Sequence, residues 1–166
     1  MIKPEKLSSE IVNLLLPRLK DEYNAFYFYR SATNYCQNVG HFTASKFFKA
    51  ESDDELLHAK GIEDLLVDFN ITPNLPSIEK PPLQFKSLLD VIEQAYKIEY
   101  DLYEAYEETS IKVFKTGDLC VFDFLQTYRT IQKQSIAEYS DKLNVLEGVE
   151  PNKMNLLLLE ETLFEA

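Results

Sequence analysis

The sequence predicts an all-helical protein: a four-helix bundle followed by a short fifth helix. Apolar residues recur every three or four positions, and no stretch of strand length alternates between apolar and polar residues. Only four glycines occur, and Gly40, Gly117 and Gly148 each stand where a periodic stretch stops, which is typical of residues that end helices. We therefore predict a single domain over residues 1–166.

Five helices follow from this spacing. The predicted ranges are 9–39, 43–69, 87–116 and 118–146 for the bundle and 152–164 for the short fifth helix. Pro17 lies inside the first range, so it either kinks that helix or marks its true start after a loose turn. The first and last pairs of bundle helices have short links and should be antiparallel hairpins. Between them, residues 70–86 hold four of the seven prolines and can cross the length of the bundle.

Composition and charge exclude several classes of protein. Hydrophobic residues make up 45% of the chain and charged residues 27%, which are ordinary globular values. The N-terminal segment lacks a signal-peptide pattern and no run is apolar enough for a membrane span, so we expect a cytoplasmic protein. A net charge of -11 repels phosphate backbones and attracts cations, which argues against a nucleic-acid partner. Cys36 and Cys120 lie outside any CxxC pattern, and we expect small buried thiols.

One hydrogen-bonding or metal-binding group interrupts the apolar stripe of each bundle helix. These groups are Glu22, Glu55, Glu99 and Gln132, each within about two residues of the midpoint of its predicted helix, so they should form one layer. Lys and Arg are absent from the stripes, so three buried carboxylates must share protons or bind cations. Two divalent cations would supply the missing charge and use His58, one turn from Glu55.

Each residue taken alone has a simpler interpretation. A single glutamate in a helical stripe more often lies at the stripe's edge with its head group in water. Tyr29, two turns from Glu22, is by default a core aromatic, although it would overhang a metal site closely enough to bond a ligand or give up an electron. His41 lies at a predicted corner, where we expect solvent. The acidic stretch 51–54 is most simply a solvated helix face.

Four segments resemble the bundle helices of bacterial non-haem ferritins. They are DEYNAFYFY, ESDDELLHA, AYKIEYDLYE and FDFLQTYRTIQ, and together they extend over nearly the whole chain. The resemblance implies a ferritin-like fold and an iron-storage protein with ferroxidase activity. Its members oxidise Fe(II) with dioxygen or hydrogen peroxide and store the Fe(III) mineral inside a hollow 24-subunit homo-oligomer.

The resemblance also assigns roles to individual residues. It implies that Glu22, Glu55 and His58 hold one iron, and that Glu55 bridges to a second iron held by Glu99. Gln132 and Tyr29 adjoin this di-iron centre. A second Glu-x-x-His motif, found in bacterioferritins and rubrerythrins, is absent here.

Some sites of related proteins do not carry over. Many bacterial ferritins hold a third iron with several extra carboxylates, but Ile131, Gln134 and Ser135 occupy the expected positions in the fourth helix, which leaves only Asp54.

The final helix, NKMNLLLLEETLF, looks like the one that ferritin subunits turn inward around a four-fold axis. Its leucine stripe is then expected to pack at that axis; the stripe consists of Leu156, Leu159 and Leu163.

Haem is not expected, because bacterioferritins bind it through a methionine of the second helix and the only methionines here are Met1 and Met154.

Two alternative functions stay open. One is a ferritin-like di-iron oxygenase or peroxidase that acts on another substrate, which would need an apolar tunnel to the metals. The other is a metal-free helical bundle that binds a partner protein through its acidic surface, in which case the mid-stripe glutamates should face solvent.

Overall fold

The computed structural model describes residues 4–165, which form five α-helices and, over that range, no β-strand. The helices are α1 (Ser9–Val39), α2 (Phe42–Asp68), α3 (Leu88–Thr116), α4 (Leu119–Leu146) and α5 (Lys153–Phe164). The predicted all-helical four-helix bundle with a short C-terminal helix is confirmed.

Side-chain caps and glycines set the ends of the bundle helices. The hydroxyl of Ser8 accepts a hydrogen bond from the third residue of α1, and Ser87 and Asp118 cap α3 and α4 in the same way. Gly40 and Gly117 follow α1 and α3 with φ of 90° and 80°, a left-handed conformation that a side chain would disfavour.

Pro17 lies inside α1, which begins upstream of it at Ser9. The alternative in which Pro17 marks the start of the first helix is therefore wrong. α1 is continuous through Pro17. Because Pro17 has no N–H to donate to the carbonyl of Asn13, the helix has one backbone hydrogen bond fewer.

Contacts between helices fix the direction of each one. Ser45 at the start of α2 donates to the carbonyl of Thr33 near the end of α1, and Arg129 of α4 donates to Ser110 near the end of α3. Both hairpins are therefore antiparallel. The segment 69–87 carries the chain back along the bundle, so that α2 and α3 run in the same direction.

The core is aromatic as well as aliphatic. Three of the largest fully buried side chains are tyrosines: Tyr29, Tyr106 and Tyr139. A buried phenol needs a partner for its hydroxyl group, and each of the three donates a hydrogen bond to a carboxylate. The same bundle therefore buries both the tyrosines and their acidic partners.

α5 folds back over the corner between α1 and α2. Glu160 of α5 places Oε2 3.2 Å from His41 Nδ1, and its Oε1 accepts a hydrogen bond of 2.8 Å from the Ala44 N–H in the first turn of α2. His41 is only 3% exposed, so the prediction that it faces solvent is wrong. The sequence places His41 at a corner but does not show that α5 covers it.

Two further expectations are wrong in part. Leu156 and Leu163 are buried within the chain itself, so these residues of the leucine stripe pack on the bundle instead of lying free for a symmetry axis. Leu157 and Leu158 are the leucines of α5 that are exposed. Cys36 is buried as predicted, but Cys120 is exposed in the first turn of α4.

None of the helices described within residues 4–165 combines the length and apolar character needed to cross a membrane.

Candidate metal centre

The four predicted polar residues lie inside the bundle. None of their side chains faces solvent: the exposed fractions are 0% for Glu22, 4% for Glu55, 0% for Glu99 and 1% for Gln132. Each comes from a different helix, α1 to α4 in that order. The expectation for a metal-free interaction bundle, in which these residues face solvent, therefore disagrees with the structure.

Three of the predicted ligands form a compact cluster. Ligand atoms of Glu22, Glu55 and His58 all lie within 4.8 Å of one another. His58 Nδ1 is 3.6 Å from Glu22 Oε2 and 3.4 Å from Glu55 Oε2. The spacing of three residues in α2 places His58 one turn from Glu55, and α1 supplies Glu22 from the facing helix. Two carboxylates and an imidazole therefore converge on one point.

One oxygen of Glu22 is left without a hydrogen bond. Tyr106 donates to Oε1, whereas Oε2 is fully buried and has no hydrogen-bond partner among residues 4–165. A buried carboxylate oxygen without a partner is costly, by about 1–3 kcal/mol or more. A cation between Glu22, Glu55 and His58 would remove that cost, so the residues present fit a metal ion.

The pKa shifts of the two glutamates in the cluster also favour a bound cation. Burial and the neighbouring charge of Glu22 raise the pKa of Glu55 well above its usual value. Burial also opposes ionisation of Glu22, but contacts with Glu55 and His58 outweigh it and lower the pKa of Glu22. Glu55 therefore keeps a proton while Glu22 is ionised. A bound cation would displace that proton, so affinity should increase with pH.

The other three predicted residues form a hydrogen-bonded group beside this cluster. Tyr29 donates to Glu99 Oε1 at 2.5 Å, and Gln132 Nε2 donates to Glu99 Oε2 at 2.7 Å. The structure thus places Glu99 with Tyr29 and Gln132 and outside the three-residue cluster. The charge of Glu99 contributes to the raised pKa of Glu55, so the two groups lie close enough to interact.

Two tyrosines of the site were not predicted from the sequence. Besides Tyr106, which holds Glu22, Tyr128 donates a hydrogen bond of 2.7 Å to the carbonyl of His58 and meets the imidazole edge-on at 5.8 Å. Gly61 permits this approach, since a Cβ there would clash with the Tyr128 hydroxyl. The available signal was the position of both tyrosines in apolar stripes, within about two turns of Glu99 and Gln132.

The acidic stretch 51–54 does not behave as one solvated face. Asp53 and Asp54 are exposed, but Glu51 is half-buried and accepts a hydrogen bond of 2.9 Å from Tyr139. Burial and the nearby charge of Glu99 raise the pKa of Glu51 to about 7. The solvated-face interpretation is therefore wrong for Glu51. Helical periodicity alone does not show that a tyrosine of α4 reaches this residue.

Comparison with known proteins identifies the class to which this bundle belongs. A family model described as ferritin-like domain matches residues 12–149. The chain therefore belongs to the ferritin-like domain family.

Individual relatives agree with this assignment. A probable bacterial non-heme ferritin-like protein of Haemophilus influenzae is 26% identical over 157 residues, covering 95% of both chains. A bacterial non-heme ferritin of Campylobacter jejuni is 29% identical over 143 residues, covering 84% of this chain and 86% of that protein. These matches confirm the resemblance to bacterial non-haem ferritins.

The fold also matches that of a solved structure. An open-pore ferritin from the hyperthermophilic archaeon Archaeoglobus fulgidus superposes with a TM-score of 0.89 over 96% of this chain and 98% of that one. Sequence identity in this superposition is 24%, so the likeness establishes the fold alone.

Proposed function

We propose that this protein is an iron-storage ferritin that oxidises Fe(II) at a di-iron site within each subunit. Family and fold support iron storage in general, and the observation that carries the finer proposal is the buried cluster of Glu22, Glu55 and His58 with an unpartnered carboxylate oxygen. The reaction takes electrons from Fe(II) and passes them to dioxygen or hydrogen peroxide, and it proceeds in the cytoplasm.

Each ligand has a defined task in this proposal. Glu22, Glu55 and His58 bind the first Fe(II), and Glu55 gives up its proton and bridges to a second Fe(II) at Glu99. Gln132 lies next to that second position and now donates to Glu99. Oxygen-rich ligation stabilises Fe(III) relative to Fe(II), and carboxylates that exchange readily let the product leave.

Tyr29 contributes from the side of Glu99. Its hydroxyl group is fully buried and bonded to Glu99, and burial raises its pKa, so it stays a neutral phenol. In that position it orients the Glu99 carboxylate and can supply an electron when oxygen is reduced.

Storage requires that copies of the chain enclose a cavity, and we propose the 24-subunit cage of ferritins. Large apolar side chains remain exposed on several elements of the single chain, including Leu57, Leu83, Phe114 and Leu158. Exposed apolar side chains on separate surfaces are suited to several subunit contacts.

A single experiment tests both parts of the proposal. Fe(II) is added to the purified protein without oxygen, air is admitted, and Fe(III) absorbance and particle size are followed together. We expect rapid oxidation and an electron-dense iron core that remains in solution inside a large particle. Oxidation no faster than in buffer would contradict the ferroxidase, and precipitation of all Fe(III) outside the protein would contradict storage.

A further inference from the structure

A second buried tyrosine, Tyr139, packs against the ring of Tyr29. The rings of Tyr29 and Tyr139 stack with centroids 6.5 Å apart and an interplanar angle of 11°. Both side chains are 0% exposed. The hydroxyl of Tyr29 bonds to Glu99, whereas that of Tyr139 donates to Glu51 at 2.9 Å. Two phenols in ring contact thus link the candidate iron site to a carboxylate near the surface.

This arrangement has the two elements that tyrosine oxidation requires. A phenol that loses an electron becomes a strong acid, so a base must lie within hydrogen-bond distance to take the proton. Glu51 lies there, it is half-buried, and it can return the proton to solvent. Phe47 meets the Tyr139 ring edge-on at 6.2 Å, and Phe48 stacks on Tyr29 at 6.1 Å. These rings exclude water from the pair.

We propose that Tyr139 is a second electron donor of the di-iron site, which gives its electron through Tyr29 and its proton to Glu51. This inference rests on the proposed Fe(II) oxidation and adds a reductant to it. Glu51 is basic enough to serve near neutral pH, since burial and the charge of Glu99 raise its pKa to about 7.

The electrons and protons balance for complete reduction of one dioxygen. Two Fe(II) supply two electrons, and Tyr29 and Tyr139 supply one each. Together with three protons from solvent and the carboxylate of Glu51, these reactants give two Fe(III), two neutral tyrosyl radicals, one protonated Glu51 and two waters. The next two Fe(II) reduce the radicals back to phenols with two protons, and they become Fe(III). Hydrogen peroxide is therefore not released in this sequence.

Removing one hydroxyl group tests the assignment. Tyr139→Phe keeps the ring stack, and Glu51→Gln keeps a hydrogen-bond acceptor that cannot take a proton. Both retain the shape of the core, and the second variant preserves the test if the first folds poorly. Tyr35→Phe is the matched control, because Tyr35 lies in the same helix as Tyr29 and its ring contacts Phe85 at 5.1 Å, outside the proposed pathway.

The protein is loaded anaerobically with two Fe(II) per subunit and mixed with oxygen. Fe(III) absorbance, released hydrogen peroxide and the tyrosyl radical signal in electron paramagnetic resonance are measured on the same sample. In Tyr139→Phe and Glu51→Gln we expect Fe(III) to form while peroxide rises by about fivefold or more and the radical yield falls by about half or more. The Tyr35→Phe variant should match the wild type.

The outcomes separate this inference from the function on which it rests. Wild-type protein that forms no Fe(III) faster than buffer overturns the ferroxidase itself. Wild-type protein that oxidises Fe(II), together with unchanged peroxide and radical yields in both variants, overturns the role of Tyr139 alone. Loss of Fe(III) formation in Tyr139→Phe also overturns it, since the residue would then be needed to build the site.

Discussion

Glu55 is the residue on which the proposed di-iron site depends most. It faces Glu22 and His58, and its pKa is raised by burial and by the charges of Glu22 and Glu99. We predict that Glu55→Ala slows Fe(II) oxidation by about 100-fold, because it removes the bridge between both metals.

The same substitution should leave the metal-free protein helical and at least as stable, because a buried acid is removed. Stopped-flow absorbance and circular dichroism measure the two effects, with Glu104→Ala as a control at an exposed glutamate of α3. Oxidation at the wild-type rate in Glu55→Ala would rule out the di-iron assignment.

Gln132 would set the balance of charge at the proposed second iron position. Two Fe(II) bring four positive charges while three glutamates bring three negative ones, and the neutral amide adds none. The position at Glu99 also lacks the histidine, so it should bind Fe(II) more weakly and release the product more readily. We predict that anaerobic titration resolves a tighter and a weaker site per subunit.

Gln132→Glu should tighten the weaker site and slow the loss of Fe(III) from it. In the metal-free protein the substitution replaces a hydrogen bond of 2.7 Å to Glu99 with two facing carboxyls, so the free energy of unfolding should fall by about 1–3 kcal/mol. Calorimetric titration and urea unfolding measure the two effects. Equal affinities in the wild type, or an unchanged second site in the variant, would contradict the charge argument.

Glu51 gives the metal-free protein a specific dependence on pH. Its pKa rises from about 4.3 in an unfolded chain to about 7 in the folded one, so between these values the folded state binds more protons than the unfolded state. Stability is therefore greatest below this window and is lost as the pH rises through it.

We predict that the free energy of unfolding falls between about pH 5 and about pH 7, and that Glu51→Gln makes this decrease smaller. Urea unfolding of chelator-treated protein measures it, and Glu104→Gln at an exposed position should leave the slope unchanged. An unchanged or steeper slope in Glu51→Gln would show that burial does not raise the pKa of Glu51.

At the scale of helices, the sequence predicts most of what the structure contains. Apolar periodicity and helix-ending residues such as Gly40 and Gly117 are local signals, so four long helices and a long crossover follow from them. The docking of α5 is not local. Neither periodicity nor composition shows that Glu160 meets His41, because that contact joins residues far apart in the sequence.

The candidate site divides in the same way. The layer of Glu22, Glu55, Glu99 and Gln132 follows from one polar interruption at mid-height in each helix. The hydrogen bonds of Tyr106 and Tyr139 do not follow, because a stripe shows only that a side chain faces the core. Which hydroxyl meets which carboxylate depends on the rotation and offset of neighbouring helices, and that information is not local to either helix.

The contact of α5 with α2 acts as a cap supplied by another element. His41 at the N-cap of α2 makes no side-chain cap hydrogen bond, and Glu160 Oε1 accepts the Ala44 N–H instead. The negative charge also lies at the positive end of the α2 dipole. We predict that Glu160→Ala lowers the free energy of unfolding by about 1–2 kcal/mol.

Faster hydrogen exchange in the Glu160→Ala variant should be confined to α5 and the first turn of α2. Glu161→Ala is the matched control, because Glu161 is the next residue of the same helix and its side chain is exposed. Equal exchange in the two variants would show that Glu160 does not hold α5 in place.

The whole molecule combines a strongly acidic charge with apolar surface on many sides. A net charge of -11 opposes association of identical chains, so subunit contacts must gain their free energy from apolar burial. Exposed apolar side chains lie on every helix and on the crossover; examples are Leu57, Phe114, Leu83 and Leu158. Most of this surface lies outside α5.

The proposed cage should therefore depend on α5 only in part. Leu158→Glu places a charge on an exposed position of α5 without disturbing Leu156 and Leu163, which hold the helix on the bundle. We predict that this variant still forms a large particle, which dissociates at a lower urea concentration than the wild type. Leu57→Glu, on the outer face of α2, should shift the population toward small oligomers more strongly, because contacts along the bundle exteriors supply most of the buried area. Light scattering of iron-free protein near neutral pH measures both, and a wild-type monomer or dimer would remove the cage and the storage function together.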